Sequence, residues 1–206
     1  MDNFLGGNMK KAAFSILLFW IFSSMAFAQL GISKGLIGGL NIASLSGSDV
    51  SSDAKSLTGY AGGLFLEINI PGPLSIEPEV LYSMKGSKIA FNNNTITDNY
   101  TYVDIPVLLK YFLPIPMMRT YLYAGPSYSI LLSAKRKTEG SSVTSSEVDV
   151  KDAITANDLG VVVGLGVGFS IVRVDARYNL GLSTIDKNGT YKMYNRVAAV
   201  YVGIEF

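Results

Sequence analysis

From residue 32 to the end of the chain, apolar and polar residues alternate with a period of two, the mark of a strand with one face in an apolar medium. The alternation is clearest where Leu74, Ile76, Val80 and Tyr82 oppose Ser75, Glu77, Glu79, Ser83 and Lys85. It returns where Val103, Ile105, Val107, Leu109 and Tyr111 oppose Tyr102, Asp104 and Lys110. In the last stretch Ala198, Val200, Val202, Ile204 and Phe206 share a face. Read this way, the chain predicts eight strands, at 32–43, 58–70, 74–84, 100–113, 120–134, 158–169, 172–182 and 195–206. The connections alternate long and short. Pro71-Gly72-Pro73, 114–119 and Ser170-Ile171 are tight. The stretches 44–57, 86–99, 135–157 and 183–194 are long and polar.

A strand at the end of the chain leaves an unpaired edge unless it closes a ring against the first strand. The expected fold is therefore all-β: an eight-stranded antiparallel up-and-down barrel, with long loops on one rim and tight turns on the other. Alternation alone does not decide whether the apolar face meets lipid or fills a core. The polar face decides it. The turn at Ser170-Ile171 sets Gly168 opposite Arg173, Gly166 opposite Asp175 and Gly164 opposite Arg177. Long charged side chains facing glycines suit a narrow filled lumen, whereas a solvated outer face needs no row of glycines. Tyr82, Tyr111, Tyr128 and Tyr178 lie on the apolar face, where interfacial tyrosines of a lipid-facing wall belong. A transmembrane barrel follows, with the apolar face outward. Pro78, Pro106 and Pro126 fall mid-strand, so bulges or locally unpaired sites are expected there.

Lys10 and Lys11 precede an apolar run that ends in Ala26-Phe27-Ala28, which reads as a secretory signal peptide over residues 1–28, cleaved before Gln29. Met9 makes a tighter start than Met1. Residues 29–206 then form one barrel domain in the bacterial outer membrane. Trp20, the only tryptophan, lies in the leader. After residue 30 no apolar run approaches the roughly 20 residues of a membrane helix. With no cysteine and no histidine, disulfides, thiol chemistry and the commonest general base and metal ligand are absent. A net charge of +1 gives no sign of a nucleic-acid partner.

The candidate site is a lumen charge network of Glu67, Glu77, Glu79, Asp104, Lys110, Arg173, Asp175 and Arg177, with a structural role. Glu77 and Glu79 lie two apart on one face, and such a pair could do acid–base work on a sugar. Pairing with Lys110, Arg173 and Arg177 is the favoured reading, because buried charges need partners. No catalytic residue, cofactor or metal site is expected. Asp49, Asp53, Asp149 and Asp152 fit no defined calcium loop. Lys135-Arg136-Lys137 could touch lipopolysaccharide phosphates, although a hydrated loop base is the plainer account.

Four stretches resemble the PorT-like outer-membrane β-barrel proteins: Pro78 to Gly86, Tyr102 to Tyr111, Ala124-Gly125-Pro126, and Asp175 to Leu182. The resemblance spans the chain from Gly39 to the closing strand. It implies a small barrel of the OmpA/OmpX kind in a Gram-negative outer membrane; the family's named member is linked to protein secretion. It supplies no active residue. The expected function is a structural or interaction barrel in outer-membrane lipid, whose long loops bind lipopolysaccharide or another envelope protein. The alternatives are a narrow channel, porin-like and opened by Gly160, Gly164, Gly166 and Gly168, or an outer-membrane enzyme.

Overall fold

A computed structural model describes residues 31–50, 54–91, 94–140 and 143–206; the expected signal peptide, residues 1–28, lies outside them. Nine strands form one sheet: β1 (Ile32–Ser46), β2 (Ala54–Ile70), β3 (Leu74–Phe91), β4 (Asn94–Leu113), β5 (Arg119–Gly140), β6 (Val143–Asp149), β7 (Asn157–Phe169), β8 (Val172–Gly181) and β9 (Tyr194–Glu205). Eight of them close a ring in the order β1-β2-β3-β4-β5-β7-β8-β9, and every pairing is antiparallel. Closure is made by β1 and β9, in register from Gly35↔Glu205 to Ser46↔Tyr194. β6 stands outside the ring and pairs only with the upper end of β5.

The apolar face points outward. Val80, Leu109 and Val202 are about half exposed, at 52%, 51% and 50%, whereas Glu79 and Arg177 keep 1% and 5% of their surface. Tyr82, Tyr111, Tyr128 and Tyr178 are exposed on the same outer wall. A soluble barrel would show the reverse, so the outer wall is built for hydrocarbon. Across the β7–β8 turn the register pairs Gly168 with Arg173, Gly166 with Asp175 and Gly164 with Arg177. In that turn Ser170 takes a φ of 55°, the left-handed value a two-residue hairpin connection needs at its first position.

One expectation requires correction. The stretches 86–99 and 135–157 are not open loops. β3 and β4 continue as a hairpin out to Phe91 and Asn94, and β5 runs to Gly140 before β6 folds back on it. Along these extensions the inward positions are polar, Ser87 and Asp98 being buried, so apolar alternation disappears while backbone pairing continues. A short 3-10 turn, Lys151–Ala153, then leads into β7. At the prolines the expected locally unpaired sites are found, without bulges. Pairing skips Glu77 and Pro78 on the β2 side, Ile105 and Pro106 on the β3 side, and Gly125 and Pro126 on the β4 side. Yet Phe65↔Glu79 and Ile68↔Ile76 keep one register, as do Pro78↔Val107 and Leu81↔Asp104. A proline has no N–H to donate, and the barrel answers by omitting ladder bonds rather than by inserting a residue. Parity therefore survives, and Glu77 and Glu79 stay on the inner face. The register shifts fall elsewhere, at Ser56/Ala61, Thr101/Tyr102 and Thr138/Gly140.

The orientation carries a direct consequence. Val80→Arg, on the outer wall, is expected to lower unfolding stability in lipid vesicles by about 2 to 4 kcal/mol. A urea midpoint equal to that of the parent protein would contradict the outward placement of this face.

Candidate functional site

The lumen is organised by two arginine–glutamate forks that cross it. In the eight-strand ring β3 and β8 are diametrically opposite. From β8, Arg177 donates to both carboxylate oxygens of Glu79 on β3, at 2.7 and 3.0 Å. One layer below, Arg173 donates to both oxygens of Glu77, at 2.5 and 2.9 Å. The planar guanidinium matches a carboxylate with two parallel bonds, which fixes direction as well as charge. Lys110 on β4 joins the lower layer, 3.0 Å from Glu67 and 2.5 Å from Glu77. Arg173 Nε also lies 3.3 Å from Asp175, whose other oxygen accepts the Tyr121 hydroxyl at 2.9 Å. Arg173 also lies 3.8 Å from Glu79, so seven of the eight sequence-derived residues form one connected network. Asp104 stands apart, one layer higher, and pairs with Lys85 at 2.8 Å.

Aromatic rings fill the space around the cations. The Arg173 guanidinium sits 3.7 Å from the centre of the Phe65 ring, Arg177 lies 4.6 Å from that of Tyr201, and Lys110 Nζ is 4.4 Å from that of Tyr121. The β7 glycines serve this packing. A Cβ on Gly164 would stand 2.4 Å from the Tyr123 ring, and one on Gly166 would stand 2.5 Å from the Tyr121 ring. The space these glycines leave is taken by tyrosine rather than by a water path.

Sequence reasoning missed the parts that finish the plug. Lys85 shares its face with Glu77 and Glu79 and was legible by parity. Arg119 was not, because it begins β5 beside a turn; it bridges Glu67 at 2.5 Å and Glu205 at 2.9 Å across the tight-turn mouth. Asn41, in the glycine-softened first strand, accepts the Tyr201 hydroxyl at 2.7 Å and donates to Ser83 at 3.1 Å. The opposite mouth is capped by Ile154 and Ile185, which pack on Tyr100, Tyr102 and Leu131. Their loops are tied together by Thr155 donating to the Ile185 carbonyl and Lys187 to that of Ala153. The free space between these layers is small. About 20 Å3 remains beside Lys85, Asp158 and Asn195, and about 10 Å3 beside Glu67, Arg119 and Arg173. Each is room for about one water molecule.

Outside the membrane the loop candidates are engaged. Lys135 pairs with Glu147 and Lys137 with Glu139, each at 2.6 Å, and Arg136 grips Asp98 at 2.6 and 2.9 Å. The basic triplet is thereby matched by carboxylates, and the bond to Asp98 raises the pKa of Arg136. Asp49 accepts the Lys192 amide at 2.8 Å, which holds its carboxyl below the usual range. Asp149 accepts the Lys151 amide at 2.8 Å, while Asp53 lies outside the described residues. Among the described residues no three acidic side chains gather as metal ligands.

With this geometry in hand, comparison with known proteins is informative about family and fold. Neisserial surface protein A (NspA) superposes with a TM-score of 0.54 at 16% identity, over 85% of this chain and 99% of that one. Ail, the attachment invasion locus protein of Yersinia pestis, gives a TM-score of 0.44 at 13% identity, over 84% and 98%. Its complex with the heparin analogue sucrose octasulfate gives 0.46 at 13% identity, over 85% and 99%. The NspA likeness supports the fold alone. No curated protein sequence matches. The sequence model of the "Outer membrane protein beta-barrel domain" family matches residues 27–187. Closed ring, lipid-facing wall and family match agree: the chain belongs to the outer membrane protein beta-barrel domain family, and its place is the bacterial outer membrane.

Proposed function

We propose that this chain is a plugged, non-conducting barrel that works as an interaction scaffold outside the membrane. The observation that carries the reading is the pair of arginine–glutamate forks spanning opposite walls. With Arg119 at one mouth and Ile154 and Ile185 at the other, the pockets beside them are of single-water size. The eight lumen charges are then structural. Glu77 and Glu79 each have both oxygens engaged by a guanidinium, so neither is poised as an acid or a base, and a non-catalytic role is favoured.

The working surface is then the β extension. β3 runs six residues beyond Lys85, about 20 Å along the strand; β2 and β4 flank it, and β5 and β6 continue the sheet beyond β4. A rigid sheet outside the membrane suits contact with another envelope or extracellular protein. Membership of the PorT-like group rests on the four matching stretches and accords with such an accessory role.

Three outcomes are expected. In planar bilayers the purified protein should give no sustained single-channel steps; regular large steps would overturn the plugged reading. Arg177→Leu leaves Glu79 buried without its partner and should cost about 3 kcal/mol in unfolding by urea, part of it recovered in Arg177→Leu with Glu79→Gln. Equal midpoints for all three proteins would remove the structural role. Replacing residues 88–97 by a short turn should leave the barrel folded and abolish cross-linking to cell-surface partners; retained cross-linking would place the working surface elsewhere.

A further inference from the structure

The lipid-facing wall is not uniform. Between β1, β9 and β8 it holds an apolar groove of about 660 Å3, lined by Leu40, Ile42, Ala176, Tyr178, Ala198 and Val200. Its cause is local. The strand pairings set Ile42, Ala198 and Tyr178 in one row and Leu40, Val200 and Ala176 in the next. The two alanines form the floor, while the larger neighbours form the sides. The groove lies in the half of the wall nearer the long connections, hence in the outer leaflet.

A cation stands at its upper end. Arg196 is two residues above Ala198 on the same face of β9, in the row of Ser44 and Leu180. One nitrogen of its guanidinium, Nη1, donates to the carbonyls of Gly181 and Asn195, at 2.6 and 3.0 Å. Nε and Nη2 have no protein acceptor among the described residues. The side chain is half-buried at the border of the apolar wall, anchored by one corner, with its guanidinium carbon 5.8 Å from the centre of the Tyr194 ring.

We infer that the groove and Arg196 together bind one lipid A molecule of the outer leaflet, with a phosphate on Arg196 and an acyl chain along Ala198 and Ala176. In a bilayer an apolar groove has no hydrophobic advantage over surrounding lipid, so shape alone selects weakly. A guanidinium with unused donors at headgroup depth supplies the selection, because it pairs with phosphate in a forked geometry. The Ser44 hydroxyl, in the same row, offers a further donor. The Lys135-Arg136-Lys137 run is a poorer candidate, since all three side chains already hold carboxylates.

The test is native mass spectrometry of the full chain in detergent, with bisphosphorylated lipid A, its dephosphorylated form and phosphatidylglycerol as separate probes. Retention of the bisphosphorylated lipid is expected, with weaker retention of the other two. Arg196→Gln should lower that retention about tenfold. Ala198→Phe, which fills the groove on a surface that tolerates apolar residues, should lower it while Arg196 remains. Equal retention of phosphorylated and dephosphorylated lipid A would overturn the inference. So would parental binding by Ala198→Phe, or phosphatidylglycerol binding as strongly as lipid A. None of these results depends on whether the barrel conducts or on what its outer sheet contacts.

Discussion

A charge inside a narrow membrane barrel has neither bulk water nor a snorkelling route, so it must meet an opposite charge or be neutral. That constraint governs the interior of this protein. Glu77 and Glu79 on one wall meet Arg173 and Arg177 on the wall directly opposite, and each pair is joined by two bonds. Pairs between neighbouring strands would stabilise one edge of the sheet. Pairs across the diameter tie β3 to β8 through the lumen and hold the ring at a fixed width.

The rest of the interior accommodates those forks. Guanidinium groups laid across the lumen need flat surfaces beside them, and Phe65, Tyr123 and Tyr201 supply them. The tyrosines in turn need room, which β7 provides at Gly164 and Gly166. What reads in sequence as a loosened strand is a cradle for aromatic rings. The same logic makes the missing ladder bonds at Pro78, Pro106 and Pro126 tolerable. These sites keep their register, so no charge is turned outward into hydrocarbon.

Much of this is legible in the sequence, for specific reasons. A period of two assigns Glu77, Glu79, Arg173 and Arg177 to one face, and the tight turn at Ser170-Ile171 fixes which glycine each β8 charge opposes. An eight-strand up-and-down ring sets 74–84 across from 172–182, but parity fixes neither shear nor depth, so the partners could be named only as a group. Arg119 sits where a turn erases the period. The strand extensions through Ser87, Lys88, Thr95 and Thr97 were invisible for another reason. There the inward positions are buried yet polar, Ser87 and Asp98 among them, and hydrophobic alternation is silent about such strands. The alanine-floored groove was equally hidden, since Ala176 and Ala198 are adjacent only through the pairing of β8 with β9.

The forks can be observed without altering the protein's function. Solid-state NMR of the barrel in lipid, with 15N-labelled arginine and 13C-labelled glutamate, reports directly on guanidinium–carboxylate proximity. Through-space correlations from Arg177 to the Glu79 carboxyl and from Arg173 to the Glu77 carboxyl are expected, with guanidinium protons that exchange slowly with solvent. Arginine signals correlated only with water, and no contact to either glutamate, would contradict an interior built on these two crossings.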